Sequence, residues 1–420
     1  MFDPWPNILS RLVILKMGQN NAEVWITGIG ILSALGNGFE ENWAALKSGK
    51  SALRPIELSG SIHDGKFFAG MVSLSDEELV KQLSELNIRY PHNRPTLMSL
   101  YTARQALRNA DIEMFTDKIV LISVTTVGGI SSTEKHFDNL SLNKTKATQE
   151  FLSEMDCGSI SRNVCSYLGL SKPHYMISTA CSSSNNAIML GARLIKAGKA
   201  EVVLAGGSDS LSKFVLNGFH SLKNLDPKPC TPFDKDRFGL NLGEGAAYLV
   251  LESSKHATNR GKSSLAVVAG YGNISETYHI TGSSPHGMGA YGAMSLALTS
   301  ANLNPQEIDF IHSHGTSTID NDLAESNAIK RLFGNDIAFG SSKGYTGHTL
   351  AAAGAISSVL SIGMMQHGFI FPTINFRHPI PETGLSPVTT IKENQHLRHI
   401  MVNSFGFGGN NTSLIFSKAA

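Results

Sequence analysis

Apolar and polar positions along the chain fall into blocks that read as strands followed by helices. Apolar β-rich runs predict strands over Glu23–Leu35, Ile119–Val127, Glu201–Gly207, Glu244–Leu251, Leu265–Gly272, Ile308–His312, Ile337–Gly340, His399–Ser404 and Thr412–Phe416. Helical spacing predicts helices over Glu40–Ser48, Leu97–Ala110, Ile160–Leu168, Met288–Asn302, Leu323–Phe333 and His348–Gln366. Residues 131–158 are polar and read as helical. Residues 50–95 read as loops, with turn signals at His63-Asp64-Gly65 and Pro91-His92-Asn93. Strands alternating with helices predict an α/β fold with a mostly parallel sheet.

One block differs from the rest, His174–Ile195. Tyr175–Ile177 is a short apolar run fit for a buried strand. Ser178–Ser184 is small and hydroxylated around Cys181. Asn185–Ile195 is apolar on nearly every face, the mark of a helix buried all round. Cys181 is therefore expected where a strand turns into the first turn of a central helix. Free amide N–H groups and the helix dipole favour negative charge there, which pushes a thiol towards thiolate. The same residue also suits a small buried packing cysteine.

The blocks echo one another. Strand, small-residue turn and buried helix occur at 175–195 and again at 337–363. A β-rich opening occurs at 23–35 and again at 265–273, and Gly206-Gly207 is echoed by Gly408-Gly409. The reading is two similar halves, residues 22–258 and 259–420, split near the polar stretch SSKHATNRGKSS. A chain of 420 residues is long enough for two cores. The opening MFDPWPNILSRLVILK lacks a small-residue cleavage site. Residues 1–21 are read as an extension rather than a signal peptide.

Composition narrows the function. A net charge of +1 gives no electrostatic case for nucleic acid or an anionic membrane. No apolar run reaches membrane-spanning length. Cys157, Cys165, Cys181 and Cys230 have no metal-type spacing, so the expectation is a reduced, cytoplasmic protein.

Three further stretches carry candidate chemistry. IHSHGTSTIDND (311–322) runs from a strand into His314 and a hydroxyl-rich loop. SSKGYTGHTLAAAG (341–354) sets Lys343 and His348 about a tight glycine turn, with His348 opening a small-residue helix. NSFGFGGNN (403–411) is a glycine loop that can bring backbone N–H groups to a ligand. Each has a plainer reading, as a structural histidine, a surface lysine or a simple hairpin. His312 and His314 lack an acidic or cysteine partner at metal-ligand spacing, so no metal is expected. No strand–helix Gly-x-Gly-x-x-Gly supports a dinucleotide site.

Taken together, TACSSS around Cys181, PFDKDRFGLNLGEGAA (232–247), HGTST (314–318), KGYTGH (343–348) with AAAGA after it, and NSFGFGGNN resemble the β-ketoacyl-acyl carrier protein synthases. The resemblance spans about residues 23–418. It implies the duplicated thiolase-like fold, five-layered αβαβα, and decarboxylative condensation of an acyl-cysteine thioester with malonyl-carrier protein. It makes Cys181 the nucleophile, with His314, His348 and Lys343 the other catalytic residues. Backbone N–H groups of Cys181 and Phe407 form the implied oxyanion hole, and Phe407 is the implied gatekeeper. Thr316 and Thr318 match hydroxyls that hold the pantetheine arm, and Glu325 and Asp322 support the site, Glu325 as a partner for Lys343.

No cofactor is implied. The implied partners are acyl carrier protein and a second subunit, either an identical copy or a chain-length-factor-like homologue. Arg94, Lys223 and Lys228 are candidate carrier contacts. Fatty-acid elongation is the expected pathway. TTVGGISSTE (125–134) and ACSSSNNAIMLGARLI look more like synthases of aryl-polyene or flexirubin pigments, so pigment or polyketide extension is the alternative. A non-catalytic chain-length factor is disfavoured because Cys181, His314, His348 and Lys343 are all present. A thiolase is disfavoured by the HGTST loop. Ile319 stands where the family often has proline, and Asn410 where it usually has threonine; neither is expected to touch the chemistry.

Overall fold

The computed structural model describes residues 23–88, 92–114, 118–134, 137, 154–171 and 173–419. The opening extension and most of the polar segment 131–158 lie outside the described residues. Among those described, the strands are, in chain order, β1 (Val24–Leu32), β2 (Leu53–Pro55), β3 (Phe68–Gly70), β4 (Ile119–Val124), β5 (His174–Ile177), β6 (Val202–Asp209), β7 (Leu242–Gly243), β8 (Gly245–Ser253), β9 (Ala266–Ser275), β10 (Phe310–His312), β11 (Phe339–Gly340), β12 (His399–Phe405) and β13 (Asn410–Ser417).

Ten of these strands form one sheet in the order β11-β10-β12-β13-β9-β1-β8-β6-β4-β5. The order repeats about its middle. Each set of five begins at the centre with its first strand, β1 or β9, and continues outward through its fifth, fourth, second and third. The two sets fuse where β1 meets β9 antiparallel, through Trp25–Val267 and Ile26–Ala266. The same local device recurs in both first strands. A Cβ at Gly28 or Gly30 would fall 2.3 or 2.0 Å from carbonyl oxygens of helix Arg94–Asn109. A Cβ at Gly270 or Gly272 would fall 2.4 or 2.1 Å from those of helix Met288–Ala301. Glycine lets each helix lie directly on its strand.

Helices stack on the two five-strand halves of this sheet in layers. Arg94–Asn109 and Cys157–Leu168 cover one outer face, and Met288–Ala301 and Ile319–Phe333 the other. Ser183–Lys196 and Ala353–His367 pack together at the centre. The apolar core follows the layers. A central cluster draws Ile188, Val203, Leu249, Val359 and Val402 from both sets, and a separate outer cluster lies under each outer helix pair. The α/β class and the αβαβα layering are those expected.

Strand direction differs from the expectation. The sheet is mixed: β4 pairs parallel with β5 and β6, and β10 with β11 and β12, while the five central pairings are antiparallel. Strands buried on both faces read as continuous apolar runs whichever way their neighbours point. Only the four-residue turn between β12 and β13 forces a direction, since so short a link permits only a hairpin.

Other local readings shift too. β5 is an edge strand with Tyr175 41% exposed, not a buried one. The polar stretch SSKHATNRGKSS, the expected division between the two halves, contains helix Ser254–Asn259, with Arg260 and His256 both bonded to buried Glu252. Gly206 and Gly207 lie inside β6, whereas Gly408 and Gly409 form a turn, so that echo is not an equivalence. The region read as loops holds helix Asp76–Gln82 and, with β7, a small sheet β2-β3-β7. The stretch Leu350–His367 is long and apolar enough to cross a membrane, and 89% of it is buried inside the protein, where it forms the core.

Candidate active site

Cys181 lies on a strained elbow. β5 ends at Ile177, helix Ser183–Lys196 begins two residues after the cysteine, and Ala180 between them has φ 52°. A non-glycine residue in that region costs about 1 kcal/mol or more. Hydroxyls hold the turn: Ser183 Oγ accepts from Thr179 N at 2.9 Å, Ser182 Oγ reaches Thr179 O at 2.7 Å, and Ser404 Oγ donates to Cys181 O at 2.7 Å. The small hydroxylated run is therefore the set of braces the turn requires.

His314 follows β10. Its N–H and that of Gly315 donate to the two oxygens of Glu325, at 2.9 and 2.8 Å, and Asn403 Nδ2 donates to Glu325 at 3.0 Å. Lys343 Nζ donates to the His314 carbonyl and lies 3.4 Å from His314 Nδ1. The expected partnership of Lys343 with Glu325 is thus indirect: both grip the His314 turn, and they act on each other through charge across it. His348 does not open the long helix. It sits on the turn before it, held by its N–H to Asn241 O at 2.8 Å and by Gly243 N to His348 O at 2.9 Å, and helix Ala353–His367 starts only after a 3-10 turn at Leu350–Ala352. Gly347, at φ 69°, permits that turn.

These segments converge. His348 Nε2 is 3.0 Å from Cys181 Sγ, and the His314 and His348 rings meet edge to face at 5.2 Å. Cys181, His314 and His348 line a cavity of about 250 Å³ together with Thr316, Thr318 and Phe407. The Thr316 and Thr318 hydroxyls bond each other at 2.9 Å. Asp322 does not face the cavity; it accepts from Ser317 N at 3.0 Å and Phe233 N at 2.7 Å and so fixes the threonine loop from behind. Phe407 stacks on Phe219 at 5.6 Å. Exposed Phe238, Ile280 and Ile319 form an apolar rim at the mouth.

Electrostatics revise one expectation. Burial pushes the Cys181 thiol up to about 12, outweighing the nearby Lys343 charge and the Phe407 and Cys181 N–H groups aimed at the sulfur. The helix terminus does not make a resting thiolate, because desolvation of the charge outweighs it. Burial, reinforced by Lys343, holds both His314 and His348 well below the usual imidazole range, so both rings are neutral. Burial also lowers Lys343 to about 8 and raises Glu325 to about 7.

Cys181, His314 and His348 place ligand atoms within 4.8 Å of one another, close enough for a metal ion. The charge pattern opposes one. The Lys343 ammonium occupies the His314 Nδ1 lone pair, which leaves the proton on the cavity-facing nitrogen and sets a positive charge beside the site. His312, the other histidine considered, is a satisfied core residue bonded to Ser361 and Ser342 at 2.9 and 3.0 Å.

Of the candidate carrier contacts, Arg94 is excluded: its guanidinium is bound to Glu244 and Asp76, at 2.7 Å each. Lys223 stands at the cavity mouth. Sequence reasoning missed Asp209, whose buried carboxylate accepts from Ala351 N at 2.8 Å just beyond His348. It also missed Arg237, which donates to the carbonyls of Thr318 and Ile319 at 3.2 and 2.6 Å. Arg237 lies within a quoted motif and was legible there; Asp209, at the end of an apolar strand, gave no signal.

Comparison with known proteins agrees with this geometry. Residues 21–257 match the family model of the β-ketoacyl synthase N-terminal domain, and residues 265–377 that of its C-terminal domain. The chain belongs to the β-ketoacyl synthase family. Its activity is that of a condensing acyltransferase. It is similar to Nodulation protein E of Rhizobium meliloti, at 34% identity over 94% of this chain and 99% of that protein. It is also similar to 3-oxoacyl-[acyl-carrier-protein] synthase 2 of Vibrio cholerae, at 33% identity over 95% of this chain and all (100%) of that protein. Among solved structures it is similar to the ishigamide ketosynthase/chain length factor, with a TM-score of 0.87 and 30% identity over 95% of this chain and 100% of that one.

Proposed function

We propose that the enzyme takes an acyl group from a phosphopantetheine carrier onto Cys181 and extends it with malonyl-carrier in fatty-acid elongation. The observation that carries this reading is the Cys181 Sγ–His348 Nε2 contact of 3.0 Å on the wall of a closed-in cavity. The neutral His348 takes the thiol proton on Nε2 as sulfur attacks the carrier thioester; the departing carrier thiolate is protonated through solvent at the expense of the His348 Nδ1 proton, and the acyl group stays on Cys181 with His348 left neutral as its Nε2–H tautomer. The tetrahedral oxyanion is met by the N–H groups of Cys181 and Phe407.

Malonyl-carrier then occupies the same cavity, its arm held by Thr316 and Thr318. Loss of carbon dioxide leaves an enolate, stabilised by N–H donation from His314 and His348. Its carbon attacks the acyl thioester and expels the Cys181 thiolate, which takes the Nε2 proton of His348 while Nδ1 recovers one from water. Lys343 keeps both imidazoles neutral and fixes the tautomer of His314; Glu325 and Asp322 hold the loops. No step calls for a metal or organic cofactor. Phe407, stacked on Phe219, gates entry.

Acyl carrier protein is the proposed partner, docking at the mouth beside Lys223. The proposed assembly is a homodimer or a pair with a chain-length-factor-like homologue, in the cytoplasm. The halves are assigned to residues 22–258 and 259–420. Similarity to a ketosynthase/chain length factor pair favours one second reading, extension of a polyene or polyketide chain.

Intact-protein mass after mixing with saturated and polyenoic acyl-carriers, then malonyl-carrier, tests the proposal. A saturated thioester adduct on Cys181, discharged by malonyl-carrier, is the expected result. An adduct formed only with polyenoic or aryl chains would move the enzyme to the second reading. No adduct with any chain would sink both.

A further inference from the structure

The two oxyanion donors come from segments 226 residues apart in sequence, the Cys181 turn and the Phe407 loop, and they have to stay in register to act together. Asn410, at the foot of that loop, is the residue that departs from the usual family threonine. Its Oδ1 lies 2.7 Å from Ser182 Oγ, next to the nucleophile, and 2.8 Å from Asn186 Nδ2 on the central helix. Its Nδ2 donates to Asn273 Oδ1 on β9 at 3.1 Å, and Asn273 Nδ2 donates to Asn186 Oδ1 at 2.6 Å. Three amides from three elements thus close a ring. Asn186 Nδ2 also reaches Thr179 Oγ1 at 2.9 Å, so the ring grips the strained elbow from below. On its other side the Asn410 carbonyl accepts from Gly406 N at 2.9 Å, which anchors the residue immediately before Phe407.

We propose that Asn410, closed into a ring with Asn186 and Asn273, is a positioning residue that sets the Phe407 N–H relative to the Cys181 turn. A threonine hydroxyl would have to accept and donate from one atom, whereas the Asn410 amide accepts from Ser182 and Asn186 at Oδ1 and donates to Asn273 from a separate nitrogen, which lets it span the three. The ring touches neither sulfur nor cavity, so it acts only through the two segments it joins. The inference rests on the thioester chemistry proposed above.

The test compares two reactions of Cys181 in the full-length enzyme. Acylation by an acyl-carrier thioester passes through an oxyanion; alkylation by iodoacetamide does not. In Asn410→Ala, acylation is expected to slow by about 10- to 100-fold, the scale of a misplaced oxyanion donor, while alkylation stays within about 2-fold of the parent enzyme. Asn273→Ala, which opens the ring without touching the loop, should show the same selective loss in weaker form, and it carries the test if Asn410→Ala does not fold. Unchanged acylation would overturn the inference, and so would equal loss of acylation and alkylation, the signature of a collapsed elbow. A parent enzyme that alkylates but accepts no acyl group would instead defeat the underlying reading, and the inference with it.

Discussion

His348 Nε2 meets Cys181 Sγ at 3.0 Å, although the two residues are 167 positions apart. Both are buried, the imidazole is held neutral, and the thiol is held protonated by desolvation. The pair is a hydrogen-bonded neutral couple rather than a thiolate–imidazolium pair. Cys181→Ala should abolish acyl transfer. His348→Ala and His314→Ala should each cut malonyl-carrier decarboxylation by about 100-fold or more, the scale for losing a preorganised donor. Circular dichroism should show the fold retained, which separates chemistry from collapse.

Lys343 should give the reaction an alkaline limit. Burial lowers this ammonium to about 8, against an ordinary value of 10.5. Activity that needs the charged form should therefore fall as pH rises through about 8. The folded state binds this proton less tightly than the unfolded chain does, so the same group makes stability rise with pH between about 8 and 10.5. In Lys343→Met the alkaline limb attributable to this residue should vanish, and His314 and His348, freed of a nearby positive charge, should titrate at higher pH. A pH–rate profile of single-turnover condensation reads the first effect and histidine NMR shifts the second.

Phe407 has two separable parts. Its ring stacks on Phe219 at 5.6 Å, while its backbone N–H points at the sulfur. Phe407→Ala removes only the ring. Acylation of Cys181 should persist within about 10-fold, whereas malonyl-carrier should gain access before acylation is complete. Decarboxylation uncoupled from condensation, measured as carbon dioxide released per product formed, should rise.

Arg94 is a structural ion, not a carrier contact. It binds Glu244 through two nitrogens, and Glu244 also accepts from Val72 N at 3.2 Å. Arg94→Ala strands a buried carboxylate and should cost about 3–5 kcal/mol of stability, read as a lower midpoint in denaturant. Lys223→Glu, at the cavity mouth, should leave stability unchanged and weaken carrier binding several-fold at low salt. The opposite pattern in either variant would reverse the assignment.

Much of this architecture was legible in the order of residues, because apolar blocks and glycine turns carry their own geometry. The central helix after Cys181, the Gly347 turn before His348 and the glycine loop after Phe405 all fall close to where their composition puts them. What stayed hidden depends on through-space partners. Strand direction around β8 cannot be read from a run apolar on both faces. The Cys181 thiol was expected to ionise from its place beside a helix start, and the burial that outweighs this comes from segments of the other half. The ties of Lys343, Arg94 and Asp209 likewise depend on residues distant in sequence.

The repeated strand order gives Cys181 and His348 a common origin in geometry. Each sits on the turn between the third strand of its five, β5 or β11, and a helix of the central layer. Those helices press together so closely that a Cβ on Gly354 would come within 2.3 Å of Asn185 Oδ1, and Ser184 Oγ bonds Ala351 O across the gap at 2.6 Å. The two residues thus occupy the same station in the two five-strand sets, one carrying a thiol and the other an imidazole. The repeat therefore brings two equivalent turns face to face, and the proposed division of labour between them rests on which side chain each turn carries.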